Sequence, residues 1–385
     1  MARIAHVEIL MVDLPPAVTR VDAIQSFVSQ ETPLVRITDA EGAVGTGYSY
    51  TIGTGGPAVI SLLERTLAPR LIGREAEEIE GLWRDLLFST HATAVGAITS
   101  LALAAIDTAL WDLRCRRAGL PLWRMAGGAK ESVPLYTTEG GWLHLPAEAL
   151  AEDAAEMKGR GFAGAKLKIG KPGIAEDRAR LARVREAVGE DFRLMVDANQ
   201  AFDLAEALRR ADMLADCGIH WFEEPMPADD VGAHAVLASR SRVPIAVGES
   251  LYSLSQFKDY LTQGAASVVQ ADVARIGGIT PWLKAAHLAE GFSVPICPHF
   301  LMELHVSLVC AVPNAPMLEY IPQLDAITTS RLDIREGRAH PPEAPGLGIA
   351  WDWDTIRGRI VPGTHHRIGG GDTHAAHGHG HRAEA

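Results

Sequence analysis

The sequence has no cysteine framework, no basic excess and no long apolar run, and each absence removes a class of function. Its four cysteines, Cys115, Cys217, Cys297 and Cys310, show neither metal-type pairing nor a disulfide pattern, which suits a reducing compartment. A net charge of −12 denies the chain the basic field that nucleic acid or an anionic membrane surface calls for. The most apolar stretch, 92–105, gives way to Asp107 and is too short to span a bilayer, while Met1 to Asp13 acquires an acid too early for a signal peptide. No Gly-x-Gly-x-x-Gly turn opens a strand–helix unit, so a dinucleotide fold is disfavoured. Tyr136-Thr137-Thr138-Glu139 likewise lacks the His-x-His of a metal-dependent barrel hydrolase. The expectation is a cytoplasmic protein with no nucleic-acid and no membrane partner.

What is present is length and pattern. With 385 residues, 47% of them hydrophobic, the chain has material for a barrel-sized domain and a smaller one. Residues 4–12, 33–38 and 43–50 read as strands, and 58–67, 76–89 and 94–117 as helices, the last closed by Gly119-Leu120-Pro121. Strands followed by helices predict an α+β capping domain over 1–125. Its polar loop 14–31 is long enough to serve as a lid if a site lies beneath it.

From Val133 the pattern changes to short apolar runs alternating with helix-length segments. Eight runs, at 135–137, 165–169, 193–196, 219–222, 244–247, 267–270, 294–297 and 317–318, predict an α/β barrel of the (β/α)8 type over 126–330. A proline-rich segment, 331–362, is expected to return to the capping domain. The His/Gly-rich tail 363–385, with His365, His366, His374, His377, His379 and His381, reads as disordered and able to hold only adventitious transition metals.

Chemistry-bearing side chains fall at the ends of the predicted strands. In Gly164-Ala165-Lys166-Leu167-Lys168, residues two apart share a face, so Lys166 and Lys168 project together. Alone, Lys-x-Lys is an ordinary solvated edge strand. However, Lys168, Asp197, Glu223, Glu249, Asp272, His299 and Glu319 follow at intervals of 29, 26, 26, 23, 27 and 20 residues, about one strand–helix unit each. All seven therefore reach the same barrel mouth, where such folds build their sites.

Any single carboxylate there is an ordinary helix cap; the series is harder to explain that way. Asp197, Glu223 and Glu249 come from adjacent strands and repel unless a cation joins them, and all-oxygen ligation selects a hard ion, Mg2+ above all. Glu224 and Asn199 either support these ligands or, for Glu224, cap the next helix. Asp272 either orients the imidazole of His299 or forms a buried structural pair with it. Lys168 approaches from the other side.

Taken together, Lys166, Lys168, Asp197, Glu223, Glu249, the Asp272/His299 pair and Glu319 resemble the mandelate racemase subgroup of the enolase superfamily, over nearly the whole chain. The resemblance implies a (β/α)7β TIM-like barrel with a smaller N-terminal α+β capping domain. It implies that Asp197, Glu223 and Glu249 bind Mg2+, that Lys168 is one acid/base and that Asp272-paired His299 is the other. Lys166 would neutralise the substrate carboxylate, and a protonated Glu319 would hydrogen-bond to it. Asp272 stands where the muconate-lactonizing and enolase branches carry a lysine, which argues against those branches.

The implied reaction is removal of the proton α to a carboxylate through an enediolate. Members with both lysines and the His/Asp pair are most often acid-sugar dehydratases; racemisation or epimerisation is the alternative. Lys166 and Mg2+ are expected to favour a neutral Lys168. Loop 14–31 and the region of Tyr48 and Tyr50 are expected to set the substrate, and a homo-oligomer is expected.

Overall fold

The computed structural model describes residues 2–369. Near its start the chain forms β1 (Ile4–Asp13), a two-residue pair β2 (Arg20–Val21) and β3 (Ser26–Phe27), and then β4 (Glu31–Asp39) and β5 (Val44–Tyr48). β1, β4 and β5 lie antiparallel in that order, with Asp39 bonding the Glu41 and Ala43 amides to make the β4–β5 turn. The helices are α1 (Gly56–Leu62), continued by a wider turn over Leu63–Leu67, then α2 (Ile79–Ser89), α3 (Ala97–Ala118) and α4 (Leu122–Met125).

α3 is buried along most of its length because it runs between this sheet and the barrel. Its close seat on β5 depends on two glycines. A Cβ at Gly45 or Gly47 would stand 2.2 Å from the backbone of Ala109. The helix ends at Gly119, whose φ of 68° places it in the left-handed region that a C-terminal cap uses.

The barrel is built from β6 (Val133–Thr137), β7 (Gly164–Lys168), β8 (Arg193–Asp197), β9 (Phe222–Glu223), β10 (Ile245–Val247) and β11 (Val268–Val269), all parallel, with β12 (Leu318–Tyr320) returning to pair with β6. Between them run α5 (Ala147–Gly159), α6 (Ile174–Val188), α7 (Leu204–Asp216), α8 (Val231–Arg240), α9 (Leu254–Thr262), α10 (Ile279–Gly291) and α11 (Met302–Ala311). Seven helices follow seven strand positions and the eighth strand has none directly behind it, the (β/α)7β arrangement. The run 294–297 contributes a single bridge, Val269 to Ile296, and no extended ladder. Pro295 has no amide to donate and Ser293 turns at a φ of 59°.

Loop 14–31 carries the β2–β3 hairpin, and one expectation is corrected. The tail is ordered further than its composition suggests. After β13 (Asp333–Arg335), β14 (Arg338–His340) and α12 (Trp353–Gly358), β15 (His366–Gly369) adds an antiparallel strand to β1, from His6 opposite Gly369 to Ile9 opposite His366. His365 and His366 lie against Glu8 and Glu64 at 2.9 and 3.1 Å, so carboxylates engage these imidazoles. His374, His377, His379 and His381 lie outside the described residues. Among the described residues no helix is long and apolar enough to cross a membrane.

Candidate active site

The pairing of β7 with β8 and β9 sets the first half of the site. Lys168 is in register with Asp197, and Asp197 with Glu223, so three charged side chains from adjacent strands stand abreast. Glu249 arrives two residues after β10. One carboxylate oxygen from each of Asp197, Glu223 and Glu249 lies within 4.8 Å of the others, and all three residues are buried. The lysines are buried too, at 1% and 5% exposure, which only close anions permit. Lys166 Nζ lies 2.6 Å from Glu223 Oε1, 2.9 Å from Glu319 Oε1 and 3.8 Å from Asp197 Oδ2; Lys168 Nζ lies 2.5 Å from Asp197 Oδ2.

Glu223 and Glu319 are held by neutral donors as well. Trp221 Nε1 and Gln270 Nε2 donate to Glu223 Oε2 at 3.0 and 2.6 Å. Thr138 Oγ1 and the Phe300 amide donate to the two oxygens of Glu319 at 2.6 and 2.7 Å. Phe300 and Leu301, with φ of 60° and 37°, are held in the left-handed region, and this turn aims the amide at Glu319.

The second half lies past β11. His299 Nδ1 is 2.8 Å from Asp272 Oδ2, and its Nε2 is 3.2 Å from Glu249 Oε2, so the imidazole bridges the Asp272 carboxylate and the three-carboxylate cluster. Asp272 is fixed by the Tyr50 hydroxyl at 2.6 Å and by the amides of Ala274 and Arg275 at 2.8 and 3.1 Å. Arg275 donates to Tyr50 Oη and to Glu249 Oε1 at 3.1 and 3.2 Å. Behind them His305, fully buried, accepts the Val273 amide at Nε2 (3.1 Å) and meets the Phe300 carbonyl with Nδ1 (2.8 Å). A carbonyl can only accept, so Nδ1 carries the proton.

Burial pulls the pKa of Lys168 down, but Asp197, Glu249 and Glu223 together outweigh burial and the Lys166 cation and leave the amine above its ordinary value. The neutral Lys168 expected of a base therefore depends on those carboxylates being engaged elsewhere, Asp197 above all. Glu319 is likewise set by its neighbours. Burial raises it, yet Lys166, His299 and the Phe300 amide together hold it well below the usual carboxylate range. Burial pushes Glu223 up to about 7 against the pull of Lys166. For Asp272 the order reverses: burial raises it, but the hydrogen bond and charge of His299 bring it down to about 2. His299 is raised in turn, with Glu249 and Asp272 overcoming burial.

Lys166, Lys168, Glu249, Arg275, His299 and Glu319 line one cavity of about 90 Å³, roofed by the β2–β3 hairpin. Arg20 anchors the roof by donating to Glu139 (2.9 Å) and the Pro322 carbonyl (3.0 Å), Leu143 donates to the Val21 carbonyl, and Phe27 meets Trp142 edge-on at 5.6 Å. Tyr48 and Tyr50 do not themselves line the cavity, although Ile52 of the same segment does. Tyr48 is buried against Trp351, and Tyr50 acts through Asp272 and Arg275. Asn199 and Glu224, at φ of 43° and 36°, do line it.

A cation fits here. The donor set is all oxygen, and Glu249 Oε2, Asn199 Oδ1 and Glu224 Oε1 are buried with no hydrogen-bond partner among the described residues. Sequence reasoning missed Tyr50's role, Arg275, Thr138, Gln270 and His305. Only Arg275, three residues beyond Asp272, carried a usable signal, a cation at the barrel mouth.

The mandelate racemase/muconate lactonizing enzyme N-terminal domain family matches residues 6–127, and the enolase C-terminal domain-like family matches 149–355. The chain is 35% identical over 354 residues to L-talarate/galactarate dehydratase of Salmonella typhimurium, covering 90% of this chain and 88% of that protein. It is 36% identical over 331 residues to 3,6-anhydro-alpha-L-galactonate cycloisomerase of Streptomyces coelicolor, covering 86% and 91%. Among solved structures, L-talarate dehydratase from Polaromonas sp. JS666, complexed with Mg and L-glucarate, superposes with a TM-score of 0.91 at 36% identity, over 96% of this chain and 100% of that one. Fold, site pattern and relatives agree: the chain belongs to the enolase superfamily, in the mandelate racemase/muconate lactonizing enzyme family.

Proposed function

We propose that this chain is a Mg2+-dependent acid-sugar dehydratase, which removes the proton α to a carboxylate and expels the β-hydroxyl to leave a 2-keto-3-deoxy acid. One observation carries the reading: three clustered carboxylates on β8, β9 and β10 are flanked in the sheet by Lys168 on β7 and by the Asp272–His299 pair beyond β11. The dehydratases among the relatives, one of them solved with Mg, support it.

Asp197, Glu223 and Glu249 would hold Mg2+, which supplies Lewis-acid stabilisation of the negative charge that develops on the substrate carboxylate. The protein groups divide the remaining work. Lys166 neutralises the carboxylate from the barrel floor. A second carboxylate brought beside Glu319 raises its pKa by like-charge repulsion, turning it into a donor as the enediolate forms.

With Asp197, Glu223 and Glu249 all engaged as ligands, burial and the neighbouring Lys166 cation would be what remain to act on Lys168, and both favour the neutral amine that accepts a proton. His299, paired with Asp272 at 2.8 Å, gives its proton to the departing hydroxyl. A positioned base supplies about 3 to 5 kcal/mol of the roughly 8 to 23 that enzymes provide, so the charge-stabilising groups carry most of the barrier reduction.

Bases on both flanks, and a cycloisomerase among the relatives, favour racemisation or epimerisation as the second reading, with His299 returning a proton in place of expelling hydroxide. Acid sugars incubated with the protein and Mg2+ in D2O separate the two. Keto acid is the expected product. Deuterated, inverted substrate without keto acid means isomerase, and neither product across the panel overturns both readings.

A further inference from the structure

We infer that the cavity prefers a polyhydroxy monocarboxylate, an aldonate, over the matching dicarboxylate, and that Asp22 receives a hydroxyl at the substrate's far end. This rests on the proposed function. The reacting carboxylate belongs beside Lys166 and the three-acid cluster, so the rest of the substrate extends toward the roof. There the lining holds one acid, Asp22, one amide, Gln25, and five largely apolar groups, Ile24, Phe27, Ile52, Trp142 and Ile321.

Asp22 is a fixed feature of the roof. It is only 4% exposed, and its Oδ1 accepts the amides of Ile24 and Gln25, both at 2.8 Å, so the tight turn between β2 and β3 orients the carboxylate. No hydrogen bond engages its other oxygen among the described residues, and Lys168 and Asp197 are the charges that act on it from the cavity floor.

The cationic groups that line the cavity are Lys166, Lys168, Arg275 and His299, and each is already within ion-pair distance of an acid: Glu223 and Glu319, Asp197, Glu249, and Asp272 with Glu249 respectively. Arg20, the cation of the roof, is turned away onto Glu139 and does not line the cavity. A second substrate carboxylate would be desolvated beside Asp22 with no counter-ion of its own, a costly placement. A hydroxyl in the same place donates to Asp22 and accepts from Gln25, while the apolar walls cover the carbon chain. Sites built around a substrate hydroxyl discriminate far more sharply than apolar pockets do.

The test compares kcat/KM for five- and six-carbon aldonates with that for stereochemically matched aldarates, using the full chain with Mg2+. The best aldonate is expected to exceed its aldarate by about a hundredfold. Asp22→Asn should cut aldonate turnover by about tenfold and narrow that ratio. Asp22→Lys, which supplies the missing cation, should reverse the order. Calorimetric binding of both acids to the parent protein gives the same comparison independently of either variant's folding. An aldarate used or bound as well as its aldonate overturns the inference and leaves the dehydratase reading standing. If α-deuterium exchange replaces dehydration, the ratio is read from exchange; if no acid sugar is dehydrated or exchanged, the underlying reading falls and the inference with it.

Discussion

At the scale of single residues, the site is a set of charges that cannot be removed one at a time without consequence. Lys168→Ala should lower kcat/KM by about 10² to 10⁴, the worth of a positioned base, while calorimetric Mg2+ binding stays near the parent value. Loss of metal binding instead would mean the ligands have been misassigned. Lys166 is a different case, because it is the counter-ion for two buried carboxylates. Lys166→Met should cost about 3 to 5 kcal/mol of unfolding free energy in urea without metal, since Glu223 and Glu319 are left uncompensated. These charged residues were legible in the sequence because each follows an apolar run at a regular interval, and buried charge in that pattern has few structural explanations. Tyr50 and Thr138 were not, because a hydroxyl reaching an acid more than a hundred residues away leaves no local trace.

Between elements, His305 ties together the turns that follow two strand positions, one bearing Asp272 and the other His299. Replacing it with leucine leaves the Val273 amide and the Phe300 carbonyl without partners in a dry interior, at about 1 to 3 kcal/mol each. Its protonation has a definite sign. Burial pulls the pKa down to about 4 from an ordinary 6.5, so the unfolded chain binds the proton first. The histidine's contribution is complete above pH 6.5 and is lost as pH falls toward 4, a difference of about 3 kcal/mol. Urea midpoints between pH 7 and 4 should fall more steeply for the parent than for His305→Leu. At this scale the sequence was readable where periodicity was clean, as in α3 and β6 to β8. It misled where one residue governs, as at Pro295, which reduces an apolar run to one bridge, and at 366–369, where a strand hides in a histidine- and glycine-rich tail because its partner β1 lies over 350 residues away.

Across the whole molecule, the capping sheet and the barrel are joined by carboxylates on α3. Asp107 accepts from the Thr280 amide at 3.0 Å and its hydroxyl at 2.6 Å, thereby capping α10 from another part of the chain, while Asp112 reaches the amides of Thr46 and Leu347, each at 2.8 Å. Asp107→Ala should lower stability by about 2 kcal/mol in thermal or urea unfolding, and a change within error would show that the junction rests on apolar packing alone. No regularity in the sequence announced this joint, since a buried acid in an otherwise apolar helix names no partner. The last described strand has a further consequence. Because β15 lies alongside β1, Gly369 sits opposite His6, so the first and last described strands are neighbours in one sheet. In a chain shortened to Gly369, a short peptide can therefore join that residue to the start of β1, and the polypeptide can be reopened at a surface turn behind the barrel, giving a circular permutant that keeps every strand-end charge in place.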